Sequence, residues 1–378
     1  MSGLGETVAA LRRLRTSGLV APSSGGVVET AAFGANPGAL RMLSYVPNEL
    51  QPGAPLVVVL HGCTQTAEAH VRAAGWLMLA DRCGFAVLAP EQRPANNLNR
   101  CFNWFRPEHA TRDRGEAASI VAMVRFLVGA HRLDTRRVFV TGLSAGGAMT
   151  SVLLATYPEV FAGGGIVAGL PFGVADNVQS AWGAMRGGAG RSADLVRSVH
   201  DASSSKATLP RVTIWHGDAD ATVNATNATD IAQQWVGAHG LAIDQGETEI
   251  VGGRTRVIWR SSRTGAAMVE SNIIHGLGHG VPLSTLGEDG VGAVAPYMLE
   301  AGVSSATEIA RFWGLVGKTM PRSNPPTPDR TSSEPSDQSR LGDRVMASLS
   351  GHVSADVESV IANALKSAGL MTSPREDG

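Results

Sequence analysis

A chain of 378 residues, 43% hydrophobic and 17% charged, has the composition of a globular protein with a sizeable core, enough for one large α/β domain with appendages or for two domains. Its formal net charge of −1 supplies no field that would draw it to nucleic acid or to an anionic membrane, and no apolar run approaches the ~18 residues of a membrane-spanning helix. The three cysteines, Cys63, Cys83 and Cys101, cannot all pair within the chain, and no Cys/His spacing suggests zinc, so neither a metal nor a cofactor is expected.

Residues 1–25 read as an N-terminal helical extension, with Pro22 to Gly26 breaking a short amphipathic helix; they hold no continuous apolar segment of the secretory type. Leu40 to Val46 alternates apolar and polar residues, the pattern of an edge strand, whereas Leu56-Val57-Val58-Val59-Leu60 is a continuous apolar run typical of a strand buried on both faces. Ala67 to Cys83 reads as one helix and Phe85 to Leu88 as the next strand. An irregular loop follows from Glu91 to His109. Gly115 to His131 is a long helix with Ile120, Met123, Val124, Leu127 and Val128 on one face. Further strands are expected at Val138 to Val140, Gly165 to Ala168, Arg211 to Trp215, Arg256 to Trp259 and Val269 to Ile274, with helices at Ala148 to Tyr157, Thr229 to His239 and Ser304 to Leu315. This alternation predicts a mostly parallel central sheet with helices on both faces, occupying residues 26–320. Residues 172–209 interrupt the rhythm as a cap-like insertion, residues 321–345 as a linker rich in Pro, Ser and Thr, and residues 346–378 as a tail whose Ser354 to Met371 is an amphipathic helix.

The most informative segment is Val138-Phe139-Val140-Thr141-Gly142-Leu143-Ser144-Ala145-Gly146-Gly147. A β-branched strand runs directly into Gly-x-Ser-x-Gly and then into a helix, the context that a nucleophile elbow requires. The serine of such a turn is strained, so the positions two before and two after it must be small; Gly142 and Gly146 are. A serine hydroxyl becomes a nucleophile when a histidine takes its proton and an acid fixes that histidine's tautomer. Downstream, Trp215-His216-Gly217-Asp218-Ala219-Asp220 offers two acids, of which Asp220 is favoured over Asp218. Ile274-His275-Gly276-Leu277-Gly278-His279-Gly280 offers two bases, of which His279, on a glycine-flanked loop, is favoured over His275. His61, His216 and His239 fall in the wrong places for the base. The oxyanion of a tetrahedral intermediate needs backbone N–H donors, expected from Ala145 and from Cys63 in His61-Gly62-Cys63-Thr64-Gln65, with Gln65 steadying that loop or touching substrate. Cys63 and Cys101 both border this site. Either they form a disulfide that pins the oxyanion loop, or they are two small buried thiols. Asn103, Trp104 and Phe105 stand where an acyl or polymer chain can rest, with core packing as the competing reading for the aromatics.

Taken together, Leu60-His61-Gly62-Cys63-Thr64-Gln65, Pro90-Glu91-Gln92, Asn99-Arg100-Cys101-Phe102-Asn103-Trp104-Phe105, Arg114-Gly115-Glu116, Gly142-Leu143-Ser144-Ala145-Gly146-Gly147 and Gly278-His279-Gly280 resemble the poly(3-hydroxybutyrate) depolymerase-like esterases of the α/β-hydrolase superfamily, relatives of feruloyl and acetylxylan esterases. The resemblance runs from about Leu40 to Leu315. It implies an α/β-hydrolase fold and a metal-free serine esterase using Ser144, Asp220 and His279. The expected substrate is a short-chain ester: a 3-hydroxybutyrate polyester or oligomer, or alternatively an acyl group on a plant polysaccharide. A peptidase on the same fold and a non-catalytic binding protein are the rival readings. The resemblance also implies an extracellular location, and the cytoplasm remains the alternative.

Overall fold

The structure is a computed structural model that describes residues 26–187, 192–203, 208–287 and 290–317. The expected N-terminal extension, the linker, the C-terminal tail and short parts of the insertion lie outside the described residues. Ten strands form one sheet in the order β1-β2-β4-β3-β5-β6-β7-β10-β9-β8. They are β1 (Val28–Thr30), β2 (Arg41–Tyr45), β3 (Leu56–Leu60), β4 (Ala86–Glu91), β5 (Val138–Leu143), β6 (Gly163–Val167), β7 (Arg211–Gly217), β8 (Glu247–Val251), β9 (Arg254–Arg260) and β10 (Ala267–Ile274). The run from β4 through β10 is parallel, and antiparallel pairs close both ends: β1 and β2 at one, β9 and β8 at the other.

The side-chain period of 2 explains how a single strand serves two cores. In β3, Leu56, Val58 and Leu60 face one apolar cluster, while Val57 and Val59 face the other. The first cluster is closed by the long helix Gly115–His131, the elbow helix Ala145–Thr156 and the helix Thr226–Ala238. The second is closed by helices Ala67–Ala73, Trp76–Cys83 and Ser305–Phe312. All twelve residues of the elbow helix are buried, which accounts for its lack of a polar face in the sequence. The insertion carries helices Val178–Met185 and Ser192–Ala202. Gln234 ties it to the body: its side-chain amide donates to the carbonyls of Phe172 (2.8 Å) and Leu195 (2.9 Å) and accepts from the Phe172 amide (2.9 Å). No helix among the described residues is long and apolar enough to cross a membrane.

Three elements differ from expectation. The strand at Arg41–Tyr45 is not an edge, because Val28–Thr30 pairs outside it. Glu247–Val251 forms a strand that lacks any buried residue, so it carries no apolar alternation to read. The single helix expected from Ala67 to Cys83 is two, broken at Gly75. Gly75 has φ +86°, and a Cβ there would stand 2.8 Å from both Gly292 N and Val291 Cβ. The turn at this point needs a left-handed residue and leaves no room for a side chain against the 291–292 segment, and glycine meets both demands. Gly75→Ala is therefore expected to lower stability by about 1–3 kcal/mol or more, from positive φ and overpacking combined, as read by urea denaturation. A native-like midpoint would remove the steric account of the break.

Candidate active site

The candidate nucleophile stands between β5 and the elbow helix. Ser144 has φ 56° and ψ −116°, a conformation costly for any residue with a side chain, and its amide is held by Val167 O at 2.9 Å. The turn can be this tight because its neighbours have no side chains. A Cβ on Gly142 would meet Gly146 O at 2.4 Å, and one on Gly146 would meet Leu60 O at 2.4 Å and His61 O at 2.6 Å. The elbow is thus pressed against the end of β3, and Ser144 sits at the positive end of the following helix.

The two acids and two bases sort themselves into separate pairs. His279 Nδ1 lies 2.7 Å from Asp220 Oδ2, with side chains 10% and 0% exposed. His275 Nδ1 lies 3.0 Å from Asp218 Oδ2, with side chains 51% and 42% exposed. The exposed pair knits two loops: Asp218 Oδ1 accepts from the Gly276 amide at 2.6 Å, and the Ala219 amide donates to Leu277 O at 3.1 Å. The buried pair is carried by the loops after β7 and β10, which leave the same edge of the sheet as the elbow. Asp220 Oδ1 accepts from the Thr222 and Val223 amides, each at 2.8 Å. Burial alone would raise the Asp220 carboxyl. The hydrogen bonds of His216 and His279 outweigh it and hold the group well below the usual carboxylate range. With Nδ1 on the carboxylate, His279 keeps Nε2 for a proton transfer.

The loop from His61 to Gln65, expected to supply an oxyanion donor, is held from several sides. Cys63 and Cys101 are disulfide-bonded, closing a 38-residue span. Thr64, at φ 65°, donates its amide to Asn99 O at 2.6 Å. Gln65 Oε1 accepts from the Gly62 amide and from His70 Nδ1, both at 2.9 Å, and its Nε2 reaches Pro296 O at 3.5 Å. His61 is fully buried; its Nδ1 donates to Gly62 O at 2.8 Å and its Nε2 accepts from the Gln92 amide at 3.1 Å. Behind the loop, the fully buried Glu116 accepts from Gln92 Nε2 (2.7 Å), Asn103 Nδ2 (2.6 Å) and the Asn103 amide (2.8 Å).

This network decides what several expected contacts can do. Asn103 is buried, and its side chain is taken by Glu116 and Asn97, so it is not free for a substrate. Trp104 is 7% exposed within the main core and meets Phe105 edge-on at 5.5 Å; Phe105 is only partly buried. Gln65 holds the loop. The amides of Cys63 and Ala145 lie on the two segments that flank the serine. Sequence reasoning did not anticipate Tyr297, which has φ 64°, is 42% exposed and packs edge-on to the His279 ring at 6.2 Å. Nor did it foresee the roles of His61, His70 and Glu116, although the strand-end His61-Gly62 step and the Arg114-Gly115-Glu116 motif mark two of them.

A family model described as "Esterase PHB depolymerase" matches residues 42–257. The chain belongs to the PHB depolymerase esterase family. It is 40% identical over 307 residues to poly(3-hydroxyalkanoate) depolymerase C of Paucimonas lemoignei, covering 79% of this chain and 73% of that one. It is 30% identical to a probable acetylxylan esterase A of Aspergillus clavatus over 71% of this chain and 88% of that one. Among solved structures, the acetyl xylan esterase from Aspergillus awamori aligns with a TM-score of 0.65 at 24% identity, over 77% of this chain and 100% of that chain, a likeness of the α/β-hydrolase fold. This family member is a carboxylic ester hydrolase.

Burial makes the scaffold acid-sensitive. Desolvation, with His61 nearby, pushes the His70 pKa down to about 3, and desolvation lowers His61 as well. Both stay neutral in the fold at pH values where the unfolded chain, with histidines near about 6.5, takes up protons. The unfolded state then binds more protons, so stability is complete above about 6.5 and falls as pH drops toward about 3. Urea denaturation across that window is expected to show the slope, and His70→Asn, which keeps a donor for Gln65, is expected to remove about one proton's share of it. An unchanged slope in the variant would show that His70 titrates normally.

Proposed function

We propose that this esterase hydrolyses short-chain esters through a Ser144–His279–Asp220 triad, and that its substrate is a 3-hydroxybutyrate polyester or its oligomers. The observation that carries the reading is the buried His279–Asp220 pair on the sheet edge where Ser144 stands in a strained turn. In this mechanism Ser144 Oγ attacks the ester carbonyl while His279 Nε2 takes its proton. Asp220, held as the anion, stabilises the imidazolium, and the amides of Cys63 and Ala145 hold the oxyanion. His279 returns the proton to the leaving alcohol. Water then enters and attacks the acyl carbonyl, losing a proton to His279, which passes it to Ser144 Oγ as the acid leaves the enzyme.

The 40% identity to a relative named as a poly(3-hydroxyalkanoate) depolymerase supports the polyester. A second reading, an acetyl or feruloyl group on plant polysaccharide, draws on the 30–31% identity to an acetylxylan esterase and to feruloyl esterase B of Talaromyces stipitatus. The Cys63–Cys101 disulfide supports an oxidising, extracellular place of action.

The test is hydrolysis of p-nitrophenyl acetate, butyrate and octanoate, a 3-hydroxybutyrate oligomer and acetylated xylan by the native chain, Ser144→Ala and Asp220→Asn. Ser144→Ala is expected to lose at least about 10,000-fold in kcat and Asp220→Asn about 1,000- to 10,000-fold. The oligomer is expected to give the highest kcat/KM. Full activity in Ser144→Ala would end the triad reading, and preference for acetylated xylan would select the second substrate class.

A further inference from the structure

We infer that His216 is a positioning residue for this esterase, acting on the chemistry through Asp220. The inference rests on the triad reading above. His216 is the penultimate residue of β7, and its side chain, like that of Asp220, is fully buried. Its Nε2 lies 2.8 Å from Val223 O and 3.3 Å from Asp220 Oδ2. Both partners are acceptors only, so Nε2 carries a proton and donates toward both. The other ring nitrogen, Nδ1, is buried and has no partner among the described residues. A buried N–H without an acceptor is rare, so Nδ1 is the bare nitrogen and the ring is the neutral Nε2–H tautomer.

This arrangement completes the shell of the carboxylate. Two backbone amides fill Oδ1, and two imidazoles share Oδ2. A carboxylate offers about four lone-pair sites, so Asp220 has no acceptor capacity left over. His216 also grips the loop at two points, at Asp220 and at Val223, tying it to the rigid end of β7. Without this donor the loop loses its inner anchor, and Oδ2 is free to drift from His279 Nδ1. The imidazolium that forms as the serine attacks would then be less well stabilised. Because that charge exists only in the transition state, the loss falls on kcat and not on KM.

The experiment compares kcat and KM on p-nitrophenyl butyrate for the native chain, His216→Leu, His216→Asn and His216→Gln, with His216→Leu repeated in an Asp220→Ala background. Fluorophosphonate labelling of Ser144 and the low-field proton resonance of the His279 Nδ1 hydrogen bond are recorded alongside. His216→Leu is expected to lower kcat about 10- to 100-fold with KM within about twofold, the weight of a hydrogen bond to a charged group. His216→Asn, polar but too short to reach either acceptor, is expected to lose as much, and it carries the test if the leucine variant does not fold. His216→Gln, whose amide nitrogen can stand in for Nε2, is expected to recover kcat to within about fivefold and to restore the low-field resonance that the other two variants weaken. In the Asp220→Ala background His216→Leu is expected to cost nothing further, because the residue acts only through Asp220. Native-like kcat in both the leucine and asparagine variants, equal losses in both backgrounds, or failure of the glutamine variant to recover would each overturn the inference. A native chain that hydrolyses the ester without labelling at Ser144 would overturn the triad reading itself, independently of His216.

Discussion

The site depends on one close approach. The carbonyl oxygens of Leu60 and His61, at the end of β3, stand where a side chain at 146 would have to go, the Gly146 carbonyl stands where one at 142 would, and glycine at both positions removes those side chains. Two consequences follow from this contact. It locks the turn in which Ser144 takes a backbone conformation that a relaxed chain avoids, and it sets the loop that begins at His61 against the elbow. The parallel sheet supplies the rest. Strands β5, β7 and β10 run parallel and end at the same edge, so the loops that carry Asp220 and His279 leave the sheet on the side where the elbow turns.

Around that contact the protein spends buried polar groups on rigidity. Glu116, Gln92, Asn103, His61, Gln65 and His70 form linked hydrogen bonds behind one face of the site, with Glu116, Gln65 and His61 bonded directly to backbone of the loops they hold and His70 bracing Gln65. Such groups are costly to bury unless satisfied, and when satisfied they favour a single arrangement. Donors aimed at a developing oxyanion gain most when they need not reorganise. The disulfide adds a covalent restraint at the point where the network thins, between Cys63 and the loop of Cys101.

Much of the fold was legible because the central strands are continuous apolar runs and the long helix has a clear stripe. What escaped was set by tertiary contact. The break falls at Gly75, where the 291–292 segment lies too close for any side chain, and β8 exists through pairing with β9 rather than through any apolar pattern. For the site, the elbow could be read because strain demands glycine at fixed offsets. Local sequence favours Asp220 over Asp218 and His279 over His275, but the difference in burial between the two pairs is set by the fold and is not encoded locally. The repeated His-Gly at the ends of β3 and β7 was visible but uninterpretable. Only in three dimensions do both imidazoles prove to be buried struts that brace the loop following their strand.

The strand with no buried residue carries its own consequence. β8 leaves one side of the sheet open, and an open edge is a template for a further strand from another molecule. Glu247 and Glu249 on that strand pair with Arg260 and Arg256 on its neighbour, and Glu247 stays largely in water. A strand arriving from another molecule would have to strip water from these charges and would gain little apolar contact beyond Ile250 and Val251. The hairpin therefore works as a fence: among the described residues it ends the sheet without a covering helix, and its charges disfavour the addition of a further strand.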